Sequence, residues 1–216
     1  MRTGRWLLLA ALLPLFAACG GSERGVIILC AGDSLTENGY PPYLRRILAR
    51  DGVAARVLNY GRSGNTSGEY LKFLQENRER LMEERPDVIL IQLGTNDLRT
   101  DVDFTATDRF RTNLKEIVTE FRDFRSRSGK IPAIYLATIP DIPLGDLAVF
   151  NAESSRRVEA EINPALKAFA AAEGLPIVDN HAVFAGRPDL LPGVHPSSEG
   201  YRLMAARWRE ALRPRY

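Results

Sequence analysis

The sequence predicts an α/β fold, a parallel sheet covered by helices on both faces, and three observations carry that prediction. Apolar runs of strand length alternate with amphipathic stretches of helix length from residue 26 to the end of the chain. The runs at 26–31 and 87–93 are apolar at nearly every position, which is the texture of strands buried on both sides. Several runs end abruptly in glycine and small polar residues, the punctuation found where open α/β sheets place their ligands.

Taken in order, Val26-Ile27-Ile28-Leu29-Cys30-Ala31 is the first strand, and it runs straight into Gly32-Asp33-Ser34-Leu35. Residues 41–50 read as a short helix with Pro41 in its first turn, Leu44, Ile47 and Leu48 along one side, and Gly52 behind it. Residues 54–59 form a second strand leading into Gly61-Arg62-Ser63-Gly64-Asn65-Thr66, whose glycines let the main chain approach the sheet edge closely. Tyr70, Phe73, Leu74, Leu81 and Met82 recur at helical spacing, predicting a single helix over about 67–84 that Pro86 stops. The central strand, 87–93, delivers Gly94-Thr95-Asn96-Asp97 to the same edge as Ser34.

Phe110, Leu114, Ile117, Val118, Phe121 and Phe124 make the apolar stripe of a long third helix with solvated, charged outer faces; Gly129 ends it and residues 131–138 form a fourth strand. The loop 139–150 carries Ile142, Leu144, Leu147, Val149 and Phe150, too apolar for an idle connection, and is read either as packing over the sheet or as one wall of an acyl pocket. A helix over 153–172, broken or bent near Pro164, a fifth strand at 175–178 and a terminal helix at 198–212 carrying Tyr201, Leu203, Met204 and Trp208 complete the chain. No repeat, low-complexity stretch or second domain is visible.

The first eighteen residues stand apart: Arg2 and Arg5 form a basic head, residues 6–16 an apolar stretch and Ala17-Ala18 a small-residue exit, the layout of a secretory signal. The apolar part is shorter than the ~20 residues that span a bilayer. Cys19-Gly20-Gly21-Ser22 follows and resembles a bacterial lipobox, although Phe16 stands where leucine is usual; ordinary secretion by cleavage near Ala18 is the rival. The expected organisation is signal peptide 1–18, linker 19–25 and one domain over 26–216, lipid-anchored to a bacterial membrane through Cys19 or periplasmic and secreted. Of 29 basic residues two lie in the leader, which leaves the rest matched to the 27 acidic ones and argues against a nucleic-acid partner. With Cys19 lipidated, Cys30 has no mate, so no disulfide framework forms, and Cys30 reads as a buried filler.

A Gly-Asp-Ser turn alone is common punctuation. Together with Asn59-Tyr60-Gly61, Gly94-Thr95-Asn96-Asp97 and Gly193-Val194-His195-Pro196, in this order and over nearly the whole chain after the leader, it resembles the SGNH (GDSL) hydrolase superfamily. The resemblance implies a flavodoxin-like three-layer α/β/α sandwich with a five-stranded parallel sheet. It also implies a serine esterase in which Ser34 is the nucleophile and His195 the general base. A serine hydroxyl is a poor nucleophile without such a base, and donors must meet the oxyanion that develops. By the same resemblance those donors are the main-chain N–H groups of Ser34 and Gly61 and the Asn96 side-chain amide, while Asp33 and Asp97 brace their loops. His181 matches no block and reads as a polar loop residue.

One position departs from the family pattern. Three residues before His195, where an aspartate usually orients the imidazole, stands Pro192. Three arrangements are open: a main-chain carbonyl near Leu191 or Pro192 accepts the imidazole N–H; Asp189, or more remotely Asp179, swings in; or the site is degenerate. In the Ser-His-Asp template, replacing the acid by its amide costs ~10⁴ in turnover. No cofactor is implied, and no Cys/His or His-x-x-x-His cluster or calcium-loop array suggests a metal. The expected substrate is a short-chain acyl ester or thioester, or an acetyl group on a polysaccharide. The rival from another class is a non-catalytic envelope binding protein. The lysine of a P-loop and the Gly-x-Gly-x-x-Gly of a dinucleotide fold are both missing after the first strand.

Overall fold

A computed structural model describes residues 25–143 and 149–216. The expected signal peptide and the lipobox at Cys19 lie outside the described residues, as do Leu144 and Leu147 of the apolar loop.

Five strands, β1 (Val26–Gly32), β2 (Ala55–Gly61), β3 (Val88–Gln92), β4 (Ala133–Ala137) and β5 (Ile177–Val178), form one all-parallel sheet in the order β2-β1-β3-β4-β5. This is the flavodoxin-like order, in which the connections leave β1 to one side and β3 to the other. Every residue of β1 and β3 is buried, as their unbroken apolar texture predicts. Successive side chains alternate between faces. Leu29, Ala31, Ile89 and Ile91 pack under α3 (Ser67–Glu76), α5 (Thr107–Arg122) and α7 (Asn163–Glu173). Ile28, Cys30, Val88 and Leu90 pack under α2 (Pro41–Arg50) and α8 (Ser198–Leu212), where Leu44, Leu48, Met204 and Trp208 are wholly buried. Burial pushes the Cys30 thiol up to about 12, so it stays a neutral apolar filler.

Four local features refine the sequence expectation, two by correcting it and two by giving it a form. The helix expected over 67–84 is two, α3 and α4 (Arg78–Glu83), because the Asn77 side chain donates to Phe73 O at 2.9 Å and its backbone leaves the helical region at φ −112°, ψ 13°. The bend near Pro164 is a π-helical turn, Val158–Ile162, between α6 (Ala152–Arg157) and α7; proline offers no N–H to the ladder and its ring crowds the preceding turn. The fifth strand is two residues rather than four, because Pro176 has no N–H to pair and Leu175 N–H is drawn back to Ala170 O at 2.9 Å. In the loop 139–150, Ile139 and Ile142 are buried in the sheet core with Phe150 packed against it, which is the packing reading for those three residues.

Candidate active site

The site is built at the carboxyl ends of β1 and β3, the switch point of the sheet. β1 ends in Gly32, and Asp33 then caps α1 (Ser34–Glu37), its Oδ1 accepting from Leu35 N–H at 3.0 Å. Ser34 is thereby the first residue of a one-turn helix, where a main-chain N–H has no intrahelical acceptor. Among the described residues nothing accepts from it.

His195 arrives from the other end of the chain. Its loop leaves the core at Leu190 and Leu191, both buried, and closes where Ser197 N–H donates to Leu190 O at 2.8 Å just before α8. The imidazole Nε2 lies 2.9 Å from Ser34 Oγ, so with the ring neutral and protonated on Nδ1 the serine hydroxyl donates to it. Ser34 is buried and His195 is exposed, which leaves the pair at the mouth of the site.

Asp189, part of one of the three arrangements left open, is engaged elsewhere. Asp189 forks onto Arg187, with Nε at 2.9 Å and Nη2 at 2.7 Å, and both side chains are exposed. A guanidinium two residues away satisfies the carboxylate bidentately. Asp179 is also committed, accepting from Thr138 Oγ1 at 2.9 Å, Ala182 N at 3.2 Å and Lys167 Nζ at 3.2 Å. Among the described residues the His195 ring makes one hydrogen bond, that to Ser34, so no main-chain carbonyl near Leu191 or Pro192 accepts from its Nδ1 either. His181 lies apart, its N–H on Thr138 Oγ1 at 2.9 Å and its Nε2 3.8 Å from Glu159.

The expected donors fare differently. Asn96, buried at the start of a 3₁₀ turn (Asn96–Leu98) after β3, donates one amide hydrogen to Asn65 O at 3.1 Å and keeps the second. Gly61 N–H is already taken by Asn59 Oδ1 at 3.0 Å, while Asn59 Nδ2 donates to Glu37 O at 2.8 Å. Gly61 is instead a close-approach residue: a Cβ there would stand 2.2 Å from Glu37 N, inside α1.

The N–H overlooked in the sequence is that of Gly64. From Gly61 to Ser67 every other main-chain N–H is engaged: Arg62 on Gly32 O, Ser63 on Glu37 Oε2, Asn65 on Arg62 O, Thr66 on Glu69 Oε2 and Ser67 on Asp97 Oδ2. Gly64 N–H alone has no acceptor among the described residues, and it belongs to the stretch that Asn96 grips. The signal was present in Ser63-Gly64-Asn65-Thr66, a turn glycine two residues before the N-cap of α3.

Beneath the site lie two buried carboxyl groups. Burial, with the neighbouring Asp97 charge adding to it, raises Asp33 to about 7 despite the Leu35 N–H bond. Burial raises Asp97 to about 6, opposed by Ser67, whose Oγ and N–H donate at 2.6 and 2.9 Å; Asn113 Nδ2 in turn donates to Ser67 Oγ. Both acids therefore brace loops that carry the site. No group of three or more His, Cys, Asp or Glu side chains is placed to hold a metal ion among the described residues. The arrangement is one in which a serine oxygen can be deprotonated by an imidazole and a nascent oxyanion can meet neutral N–H donors.

The profile of the GDSL-like lipase/acylhydrolase family matches residues 30–203. The chain is 26% identical over 248 residues to a multidomain esterase of Ruminococcus flavefaciens, covering 94% of this chain and 30% of that protein. It is also 26% identical over 210 residues to an acetylxylan esterase of Xylanibacter ruminicola, covering 85% of this chain and 42% of that one. The chain thus spans less than half the length of either relative. The crystal structure of a lipase/acylhydrolase from Enterococcus faecalis superposes with a TM-score of 0.71 at 28% identity, covering 88% of this chain and 96% of that one.

Proposed function

This chain belongs to the GDSL-like lipase/acylhydrolase family, and from that premise we propose that it hydrolyses carboxylic esters through an acyl-Ser34 intermediate. The observation that carries the proposal is the 2.9 Å contact between Ser34 Oγ and His195 Nε2. His195 takes the hydroxyl proton as Ser34 Oγ attacks the acyl carbon. The oxygen that becomes negative is met by the Ser34 and Gly64 N–H groups and the free Asn96 amide hydrogen. These donors are neutral, and they strengthen as the charge develops rather than holding the ground state equally well. His195 returns its proton to the leaving alkoxide, and a water then repeats the sequence on the acyl-enzyme. Asp189 and Asp179 are spoken for, so the pair acts as a Ser-His dyad.

The acyl group we assign is short, and acetyl on a glycan is the second reading, favoured by the similarity to the acetylxylan esterase of Xylanibacter ruminicola. Hydrolysis of p-nitrophenyl acetate abolished in Ser34→Ala, with a fluorophosphonate labelling the wild type but not the variant, supports the esterase; an unlabelled wild type would leave the binding-protein rival standing. Acetate release from acetylated xylooligosaccharides, compared with p-nitrophenyl esters of longer acyl chains, separates the two substrate readings. The leader layout supports export and lipidation at Cys19. Palmitate labelling of whole cells that is lost in Cys19→Ala tests that anchor.

A further inference from the structure

We infer that Arg99, gripped by Asp101, is a positioning residue that keeps the Gly64 N–H aimed into the oxyanion site, an inference that rests on the reading of Gly64 as a donor. Residues 62–65 form a tight turn, closed by Asn65 N–H on Arg62 O at 3.2 Å. Gly64 has φ +81° and Ser63 does not share a positive φ, which is the signature of a type II turn. The type matters because turns I and II differ by a flip of the central peptide, here Ser63–Gly64, and the N–H of that peptide is the Gly64 donor. In a type I turn the same N–H would face the opposite way.

Two sets of contacts hold the turn. Upstream, Ser63 is fixed by elements flanking Ser34: its N–H donates to Glu37 Oε2 and its Oγ accepts from Asn38 Nδ2, each at 2.8 Å. Downstream, Asn96 holds Asn65 O and Arg99 Nη1 donates to Gly64 O at 3.2 Å. Asn96 and Arg99 stand three residues apart around a 3₁₀ turn, where side chains at that spacing eclipse, so both reach the 64–65 segment from one side. The rest of the Arg99 fork, Nε and Nη2, is spent on the Asp101 carboxylate, with Nε at 2.9 Å from Oδ1. A guanidinium can make both sets of contacts at once because its donors are rigidly splayed; an ammonium cannot.

The test measures kcat and KM for p-nitrophenyl acetate on the full chain bearing Arg99→Ala, Arg99→Lys, Gly64→Ala and the Arg99→Ala/Gly64→Ala pair. Losing an oxyanion donor costs ~10² to 10³ in turnover, and misplacing one by about 1 Å costs up to ~10². Arg99→Ala is expected to lower kcat by about 10- to 100-fold with KM within about twofold, added guanidinium ion to restore part of the loss, and Arg99→Lys to fall between. The double variant is expected to be no slower than Gly64→Ala alone, since both act through one N–H. Wild-type kcat in Arg99→Ala, or losses that multiply in the double variant, would overturn the inference. Should Arg99→Ala not fold, Arg99→Lys decides by the same kcat reading. Alanine keeps the N–H but disfavours the φ +81° that aims it, so full activity in Gly64→Ala would instead remove the need for this turn geometry, and with it the donor assignment on which the inference rests, a different failure.

Discussion

Installing an acid at position 192 should accelerate this chain. Pro192 stands three residues before His195 in a loop held at both ends, by buried Leu190 and Leu191 and by the Ser197 N–H on Leu190 O. Pro192 is itself exposed, so Pro192→Asp removes no core contact. A carboxylate about 4 Å from the imidazolium formed during attack is worth about 1 kcal/mol at the dielectric of water and about 4 kcal/mol at an effective value of about 20. At 1.36 kcal/mol per tenfold, that range runs from about fivefold to several hundredfold in kcat. The exposure of His195 puts the expected gain near the lower end, about tenfold, well under the ~10⁴ that the acid supplies in a buried triad. The assay is steady-state hydrolysis of p-nitrophenyl acetate by wild type, Pro192→Asp and Pro192→Asn, compared on the plateau of each pH–rate profile. If the aspartate variant is no faster than the asparagine one, the dyad account is wrong.

Asp189→Asn should change kcat/KM by less than about twofold, since an exposed pair with Arg187 contributes ~0–1 kcal/mol and does not reach His195; a hundredfold loss would restore Asp189 as the orienting acid. Asp33 should make the fold less stable as pH rises from about 4 to about 7: its carboxyl is raised to about 7 when folded and returns to about 4 when unfolded, so the native state holds the extra proton across that window. Asp33→Asn keeps an N-cap acceptor without the charge, and its advantage over wild type in urea midpoint should grow from pH 5 to pH 8; a constant difference would contradict the buried-acid account. Gly61→Ala forces a Cβ to 2.2 Å from the Glu37 main chain, so equilibrium denaturation should show a loss of about 1–3 kcal/mol, and wild-type stability would refute the close packing.

Much of this site was legible without coordinates because its parts sit where secondary structure changes. Ser34, Asn96 and His195 each follow a strand or precede a helix, and the run of buried residues in β1 and β3 is written in their composition. What composition cannot carry is the destination of a side chain. Gly61, at the end of β2, and Gly64, in the following loop, are glycines three residues apart; the Asn59 side chain two residues earlier silences one N–H, and a turn held by Glu37, Asn38, Asn96 and Arg99 leaves the other open. Asp189 is near His195 in sequence, yet Arg187 is nearer and better shaped to bind it.

The amino-acid order by itself determined the alternation of strands and helices and the central place of β1 and β3, because these depend on periodicity, and through its family resemblance it singled out Ser34 and His195 as the candidate pair. Only the tertiary structure decided which N–H of the 61–67 stretch is left without an acceptor, that among the described residues no acid bonds the imidazole, and that Arg99 reaches across to the Gly64 carbonyl. Those are questions of competing hydrogen-bond partners brought together from distant parts of the chain, and a donor's availability exists only once every rival acceptor has its place.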